Sequence, residues 1–567
     1  MTAIKHQDHK QAADERSPLI ASNRSHATAS ESYETFGDAE SAHDSDASSE
    51  AGESGHSRLF VAQVVGALLI GVFTSNVDGS LVLATHPVIS SEFGNLEDSS
   101  WLFISFWLAG SATQSLYGKI CDIYGRRTIL VVSYGLFAIG CAMVGLGQSM
   151  WQVILGRALT GSGQAGMWVL AAVVITDLVP LREVAAWQSY LNVVATIGRS
   201  FGGPFGGWLA DVIGWRWSFL GQVPIFVLAT VICWVVFSRL ESRKKEEEEV
   251  SETEAPISNL ARFDFIGIIT LGMGILTLML PLEIGGQKIP WSHPTIFVLF
   301  VVGFLLLGIF VLAETRWAKE PVFPIRVLQN PQTFLGYLIT GSILAAQSGM
   351  VFTVPLYFQV TQRSSSTGVG ARLFPAVAGN AIGGIVSGHI IRRTGRYKLL
   401  TILATLLSAS SYLLMTLRWK GNTSWAESSY IFPGGLGCGI VQSAVFIAIQ
   451  SAIDPKDKAA GISGFFLSTQ IGTVIGTAAV SALMMVGLQQ ALRVKLIALG
   501  LSGTELNEVI KHAAGSVEYL DETTRPIAKA IVASYVTGLE YSHAFSLGSS
   551  IIAFCAALLL RERKLKG

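Results

Sequence analysis

Apolar residues recur along this chain in fourteen blocks of about 20 residues, separated by short stretches of charged or turn-forming residues. A helix of that length spans a hydrocarbon core of about 30 Å. The pattern therefore predicts an all-α membrane protein with 14 transmembrane helices. The blocks are centred near residues 72, 110, 137, 165, 199, 228, 272, 304, 345, 380, 408, 438, 472 and 552.

The composition agrees with this interpretation. Half of the 567 residues are hydrophobic and only 14% are charged, against about 25% in soluble domains. This excludes a soluble enzyme, and a net charge of zero offers no surface for nucleic acid. The five cysteines lack paired or metal-type spacing, so we expect free thiols and no metal. We expect no cofactor, and without a phosphate-binding loop the predicted energy source is an ion gradient.

Two hydrophilic segments lie outside the apolar blocks. Residues 1–57 contain no apolar run, so we expect a disordered cytoplasmic tail. In this tail Glu15, Leu19 and Ile20 have the spacing of an acidic dileucine signal, which predicts a sorting adaptor as a partner. Residues 487–543 separate the last two blocks and are expected to form a long non-cytoplasmic loop containing short amphipathic helices.

The basic residues predict the orientation in the membrane, because they concentrate in cytoplasmic loops. With the N-terminus in the cytoplasm, the cytoplasmic loops and the C-terminal end hold 22 Lys and Arg residues, and the opposite short loops hold six. Both termini are therefore predicted to be cytoplasmic. Arg157 and Arg199 remain inside predicted spans, where a charge is costly and usually functional.

Two loops share one spacing of glycine and charged residues, and the second copy lies 270 residues after the first. The copies are Gly118, Asp122, Gly125 and Arg126, and Gly388, Arg392, Gly395 and Arg396. This repeat predicts two six-helix pseudo-repeats plus two inserted central helices, as in secondary transporters. The predicted parts are an N-terminal bundle at 58–238, a cytoplasmic linker at 239–262, the inserted helices at 263–315, and a C-terminal bundle at 330–485 and 544–562.

At these motifs the chain resembles the major facilitator superfamily, over about residues 59–565. It is similar to the fourteen-span drug:proton antiporter branch and to fungal vacuolar basic amino acid transporters. GKICDIYGRR resembles the cytoplasmic loop motif of the superfamily, ILGRALTGSGQAG the fourth-span motif, and RSFGGPFGG the antiporter motif of the fifth span. NVDGSLVLATHPVI and GWRWSFLGQVP resemble segments of the first and sixth spans of this branch.

The loop motif is a candidate conformational latch. Its glycines permit close backbone approach, and Asp122 can pair with Arg126 or Arg127. Such a pair would hold one conformation and break in the other. The alternative is a static surface salt bridge. The residues concerned are Gly118, Asp122, Gly125, Arg126 and Arg127.

Asp78 and Arg157 are the candidate coupling residues. Asp78 lies midway along the first predicted span, where burial would let it exchange a proton near neutral pH. Arg157 could modulate that carboxylate, or the two could simply pair and lock the N-terminal bundle. Arg199 could meet a substrate carboxylate, it could neutralise Asp78 or Asp177, or it could snorkel to the membrane interface.

The fifth span carries a candidate antiporter-type hinge of glycines around one proline. Small residues allow close helix packing, and proline removes one helical hydrogen bond. A pliant hinge and tight packing are both compatible with this pattern. The residues are Gly202, Gly203, Pro204, Gly206 and Gly207. In a predicted non-cytoplasmic loop, Asn422 begins a short glycosylation sequence.

Three functions remain open from the sequence. The first is a proton antiporter that loads basic amino acids into the vacuole, with small solutes, protons and the lipid bilayer as partners. The second is a plasma-membrane efflux pump for drugs, toxins or a secondary metabolite, with a broad aromatic and apolar cavity. Its expected lining includes Phe73, Trp107, Trp168, Tyr190, Tyr357 and Phe358. The third is a transport-inactive sensor. A cavity containing Arg199 favours anionic or zwitterionic solutes.

Overall fold

The computed structural model describes residues 58–93, 101–248, 265–285, 289–316, 323–364, 366–515, 519–563 and 565. The predicted tail at 1–57, with Glu15, Leu19 and Ile20, lies outside the described residues, as do residues 249–262 of the predicted linker. The described chain is helical, with one long helix at each of the fourteen predicted centres.

Six long helices form the N-terminal half. They are α1 (Arg58–Glu92), α2 (Trp101–Tyr124), α3 (Arg126–Leu146), α4 (Met150–Leu178), α5 (Leu181–Ile213) and α6 (Gln222–Glu248). The short helix Trp215–Leu220 precedes α6. Helix α1 packs along α5, and α4 packs against both α2 and α3. Arg157 on α4 and Asp78 on α1 thereby come into one bundle.

The C-terminal half repeats this plan. Its long helices are α9 (Pro331–Gln362), α10 (Ser366–Thr394), α11 (Lys398–Arg418), α12 (Phe432–Ala452), α13 (Lys458–Ala498) and α14 (Arg525–Leu559). Helices α12 and α10 pack together, as do α13 and α9. The two halves meet where α5 packs against α10 and where α2 packs against α13.

The inserted pair lies between the halves in sequence and consists of α7 (Phe265–Ile284) and α8 (Pro294–Arg316). These helices pack against each other, and α7 also packs against α2 and α13. The insertion therefore lies beside one of the two seams between the halves.

Eleven helices in the described ranges are long and apolar enough to cross a membrane. The other three long helices are α2, α5 and α7, and the apolar part of α7 is the shorter stretch Ile266–Leu282. An all-α fold is thus confirmed, and fourteen crossings stay a prediction.

The segment at 487–543, expected as a loop containing short amphipathic helices, is mainly helical where it is described, and much of it belongs to the two long helices that flank it. Its first residues continue α13 to Ala498, a helix (Gly503–Gly515) follows, and α14 already begins at Arg525. Leu488, Leu492 and Leu496 are spaced by four along α13 and belong to an apolar cluster with residues of the helix Gly503–Gly515 and of α14. This cluster stabilises helix where the charged residues in the sequence suggested a loop.

Candidate functional site

The carboxylate of Asp78 and the guanidinium of Arg157 form a buried ion pair. The Nη1 atom of Arg157 lies 2.5 Å from Oδ2 of Asp78, and the two side chains are 1% and 0% exposed. Asp78 lies near the middle of α1 and Arg157 in the first half of α4. The structure therefore brings together the two candidate coupling residues.

Neighbouring groups fix this pair in place. Arg157 donates from Nε to the carbonyl oxygen of Leu102 at 3.1 Å and from Nη1 to the hydroxyl of Thr160 at 3.3 Å. Its guanidinium also lies 4.4 Å from the ring centre of Phe106. Each of these contacts favours the charged, oriented arginine. Protonating Asp78 would thus leave Arg157 held by neutral partners only.

Gln222 is a third member of the site that the sequence reasoning missed. Its Nε2 atom donates to Oδ1 of Asp78 at 3.3 Å, from the first residue of α6. It is 5% exposed. The sequence offered one indication of this role: Gln222, in the segment GWRWSFLGQVP, is a polar amide at the start of an otherwise apolar span.

Arg199 is separate from this pair. It lies near the middle of α5, is exposed, and donates from Nε to the carbonyl oxygen of Ala195 at 3.5 Å. Asp78 is occupied by Arg157, and Asp177 accepts from Arg126 at 3.2 Å. Arg199 thus neutralises neither of the two acids that the sequence offered as partners.

The glycine cluster of α5 packs closely on α1. A Cβ atom at Gly198 would lie 2.7 Å from the carbonyl oxygen of Phe73, and one at Gly206 would lie 2.6 Å from Cγ of Leu81. A Cβ atom at Gly202 would come closer still to the backbone of Val77. The positions 198, 202 and 206 form one small-residue stripe that lets the two backbones approach.

The rest of the candidate hinge is looser or not described. A Cβ atom at Gly203 would only make an ordinary contact, 3.5 Å from the hydroxyl of Ser80. Gly207 is half-buried, and α5 is continuous through position 204, although the side chain of Pro204 lies outside the described residues. The structure shows the packing role of these residues, and the hinge stays a prediction.

Within the candidate latch, Arg126 is the arginine that pairs with Asp122. The two side chains are 2.6 Å apart, and Arg126 also bonds the carbonyl oxygen of Cys121 at 2.9 Å. Arg127 instead lies 3.7 Å above the ring of Trp234. Gly125 has a φ of +84°, a conformation that favours glycine between α2 and α3.

Both copies of the repeated glycine contact the opposite half. A Cβ atom at Gly118 would lie 2.8 Å from the carbonyl oxygen of Ala459 on α13, and next to the hydroxyl of Ser463. The segment around Ala459 has a counterpart 274 residues earlier in the other half. The matching residues are Ala459, Ala460 and Ser463, and Ala185, Ala186 and Ser189. Sequence reasoning missed this second repeat, whose signal is the recurring spacing of two alanines and a serine.

Gly388 makes the corresponding contact with α5. A Cβ atom there would lie 2.9 Å from the carbonyl oxygen of Ala185 and 2.7 Å from the hydroxyl of Ser189. Ser189 also bonds the carbonyl oxygen of Gly384 at 2.5 Å and the hydroxyl of Ser443 at 3.0 Å. We call the end of the bundle at 118–127 and 388–398 the motif end, and there the two halves touch.

Away from the motif end, α5 and α10 diverge. A cleft of about 390 Å³ opens between them. It is mostly apolar and is lined by Val193, Thr196, Ile197, Ser200 and Phe201 of α5 and Phe374, Val377, Ala378 and Ala381 of α10. The protein is therefore closed between α5 and α10 at the motif end and open further along the same seam.

The described residues contain no cluster of three His, Cys, Asp or Glu side chains that could hold a metal ion. All five cysteines lie in the described ranges and are free thiols.

A model of the Major Facilitator Superfamily matches residues 68–477. The chain belongs to this superfamily of transporters, which confirms the resemblance seen in its motifs. It is 29% identical over 509 residues to the vacuolar membrane amino acid uptake transporter fnx2 of Schizosaccharomyces pombe, covering 90% of this chain and 86% of the relative.

Two further comparisons agree. The multidrug resistance protein fnx1 of the same yeast is 30% identical over 509 residues, covering 88% of this chain and 92% of the relative. The crystal structure of the human organic anion transporter MFSD10 has a TM-score of 0.55 at 12% identity, covering 88% of this chain and 99% of the other. At that identity the likeness concerns the fold alone. The protein is a multi-pass membrane transporter.

Proposed function

We propose that this transporter is a proton-coupled antiporter that exports small organic solutes from the cytoplasm. The observation that carries the proposal is the buried pair of Asp78 and Arg157. A carboxylate enclosed in a membrane bundle can take up a proton, because burial disfavours its charged form. The two protonation states of the carboxylate then favour different arrangements of the neighbouring cation.

The proposed cycle begins when a proton neutralises Asp78. Arg157 then loses its carboxylate partner, and the buried, unpaired charge is costly. That cost favours a second arrangement of α1 and α4, in which the contacts at the motif end separate. Return to the present arrangement requires loss of the proton, which couples solute movement to the gradient.

We further propose that the cargo is an amino acid, most simply a basic one, and that the membrane is that of the vacuole. The similarity to fnx2, a vacuolar membrane amino acid uptake transporter, supports both points. The excess of basic residues in alternate loops supports cytoplasmic termini. Glu15, Leu19 and Ile20 would bind the sorting adaptor.

The test is uptake of labelled lysine, arginine and histidine into vacuolar vesicles, with and without a proton gradient. Wild type should accumulate solute only with the gradient, and Asp78→Asn should abolish accumulation. The matched control is Asp454→Asn, an exposed acid before α13, which should leave uptake unchanged. Uphill accumulation by Asp78→Asn with unaltered pH dependence would refute the proposed coupling.

A second candidate function is efflux of apolar drugs or toxins across the plasma membrane. It is favoured by the apolar cleft between α5 and α10 and by the similarity to the multidrug resistance protein fnx1. Of the aromatic residues expected to line its cavity, Trp107 and Tyr190 are exposed, whereas Tyr357 and Phe358 are fully buried and pack on Trp419. Drug sensitivity of a deletion strain, restored by wild type but not by Asp78→Asn, would support this alternative.

A further inference from the structure

The acid in the membrane interior is not available to a solute. Asp78 is 0% exposed, and its two oxygens are occupied by Arg157 and Gln222. A cationic group of the solute would have to displace an arginine that is itself held by Leu102 and Thr160. In this conformation, recognition of the solute has to begin at another charged group.

Arg199 is a charged group at which recognition of the solute can begin. It is exposed, and no carboxylate in the described part of the chain lies within ion-pairing distance of it. It lies 18 residues from the start of α5 and 14 from the end, or about 27 Å and 21 Å at 1.5 Å per residue. Lipid headgroups are therefore too far away to bind Arg199. An unpaired guanidinium at this depth needs an anionic partner, and a solute in the transport path can supply one.

The same face of α5 carries two more unsatisfied polar groups. Gln188 and Asn192 precede Arg199 at spacings of eleven and seven residues, which places all three along one side of the helix. They are 1% and 5% exposed, and the Oε1 atom of Gln188 and the Nδ2 atom of Asn192 have no partner among the described residues. Buried polar atoms are usually hydrogen-bonded, so these atoms indicate a missing polar partner.

The opposite half places one polar group near Arg199. Cys438 on α12 lies within electrostatic range of Arg199. Its thiol is contacted by the amide of Gln442 at 3.4 Å and by that of Asn380 on α10. Arg199 therefore lies at the seam between the halves, where a solute can contact both of them.

From this arrangement we propose that Arg199 is the anchor of a carboxylate-binding site, with the amides of Asn192, Asn380 and Gln442 around the bound solute. The substrate class is a small carboxylate-bearing solute, such as an amino acid bound through its α-carboxylate. This inference rests on the proposed function and specifies which group of the cargo is recognised.

The experiment measures binding to the purified full-length protein by thermal shift and by displacement of labelled lysine. The probes are lysine, arginine and leucine, each beside its counterpart without the carboxylate: cadaverine, agmatine and leucinamide. Wild type should bind each carboxylate at least about tenfold more tightly than its counterpart, as expected for loss of a charge-assisted hydrogen bond. This comparison needs no variant.

The variants are Arg199→Gln, Arg199→Lys and, as a matched control, Arg493→Gln at an exposed arginine of α13. Arg199→Gln should lose the preference for the carboxylate, Arg199→Lys should keep part of it, and the control should behave as wild type. Equal binding of lysine and cadaverine by wild type, binding of none of the three carboxylates, or an unchanged preference in Arg199→Gln would each overturn the proposal.

Asp78→Asn separates this inference from the proposed antiport. It should keep the carboxylate preference in the binding assay while losing proton-driven accumulation in vesicles. If it keeps both, the coupling role of Asp78 fails and the Arg199 site stands. If Asp78→Asn removes the preference and Arg199→Gln does not, the carboxylate site is wrong.

Discussion

Gly118 and Gly388 occupy equivalent places in the two halves of the protein. A Cβ atom at Gly118 would lie 2.8 Å from the carbonyl oxygen of Ala459, and one at Gly388 would lie 2.9 Å from that of Ala185. Each glycine therefore allows a helix of one half to touch the backbone of the other. The repeat is a pair of contact points as well as a similarity of sequence.

Replacing Gly118 by valine should open the motif end. The added side chain would overlap Ala459 and Ser463, and such overpacking costs about 1–3 kcal/mol. The closed conformation should lose population, and solute uptake should fall several-fold. Gly135→Val is the control, because nothing lies within 4 Å of a Cβ atom there. Thiol labelling of a Ser463→Cys reporter should rise in Gly118→Val only, and equal labelling in both variants would contradict the contact.

A disulfide across the seam should lock the motif end shut. The hydroxyl oxygens of Ser189 and Ser443 are 3.0 Å apart across the two halves, so cysteines at both positions are close enough for a disulfide. Under oxidant the double variant Ser189→Cys, Ser443→Cys should stop transporting, and reductant should restore transport. The two single variants should be unaffected by oxidant. Continued transport by the cross-linked protein would show that the seam need not open.

Removing Arg157 should be more damaging than removing the whole ion pair. Arg157→Leu leaves a buried carboxylate without its cation, which costs about 3–5 kcal/mol in comparable pairs. Adding Asp78→Asn removes that uncompensated charge, so the double variant should be more stable than Arg157→Leu alone. Thermal unfolding of the single and double variants in detergent measures the coupling. Additive effects would mean that the two side chains do not interact.

Within α5, the small-residue stripe at 198, 202 and 206 should be more sensitive to side-chain size than the neighbouring position 203. Gly202→Leu should destabilise the protein by about 1–3 kcal/mol, because it would push α5 away from the backbone of Val77 on α1. Gly203→Ala is the neighbouring control, since its added methyl makes only ordinary contacts. Thermal unfolding should distinguish the two. Similar stability of both variants would count against close packing of α1 and α5.

Glu92, outside the apolar span of α1, should contribute pH-dependent stability. It accepts hydrogen bonds from the Nε1 atom of Trp215 at 2.6 Å and from Arg216 at 2.5 Å. The bond from Trp215, followed by that from Arg216 and its charge, lowers the pKa of Glu92 below its ordinary value.

Because the lowered pKa belongs to the folded state, the contribution of Glu92 is complete above the unfolded pKa of about 4.3. It is lost as the pH falls through the lower folded value. Wild type should thus lose more stability than Glu92→Gln on acidification below about pH 4.3. Melting temperatures measured against pH for both proteins check this, and parallel curves would contradict it.

Much of the candidate site could be predicted because a charge inside an apolar span is conspicuous. Asp78, Arg157 and Arg199 were identified in this way, and the glycine repeat at 118 and 388 marked the two halves. The partners could not be predicted, since Arg126 and Arg127 are equivalent in sequence and several arginines could meet Asp78. Gln222, Ser189 and Ser463 carry no charge and were overlooked.

By itself, the sequence determined the all-α membrane fold, the helix centres and the duplication. These depend on local hydrophobicity and spacing, which a single chain displays in order. Only the tertiary structure decided that Arg157 pairs with Asp78, that Arg199 has no acidic partner among the described residues, and that much of the segment at 487–543 belongs to α13 and α14. Those outcomes depend on contacts between distant helices, where distance and packing select one partner from several that the sequence allows.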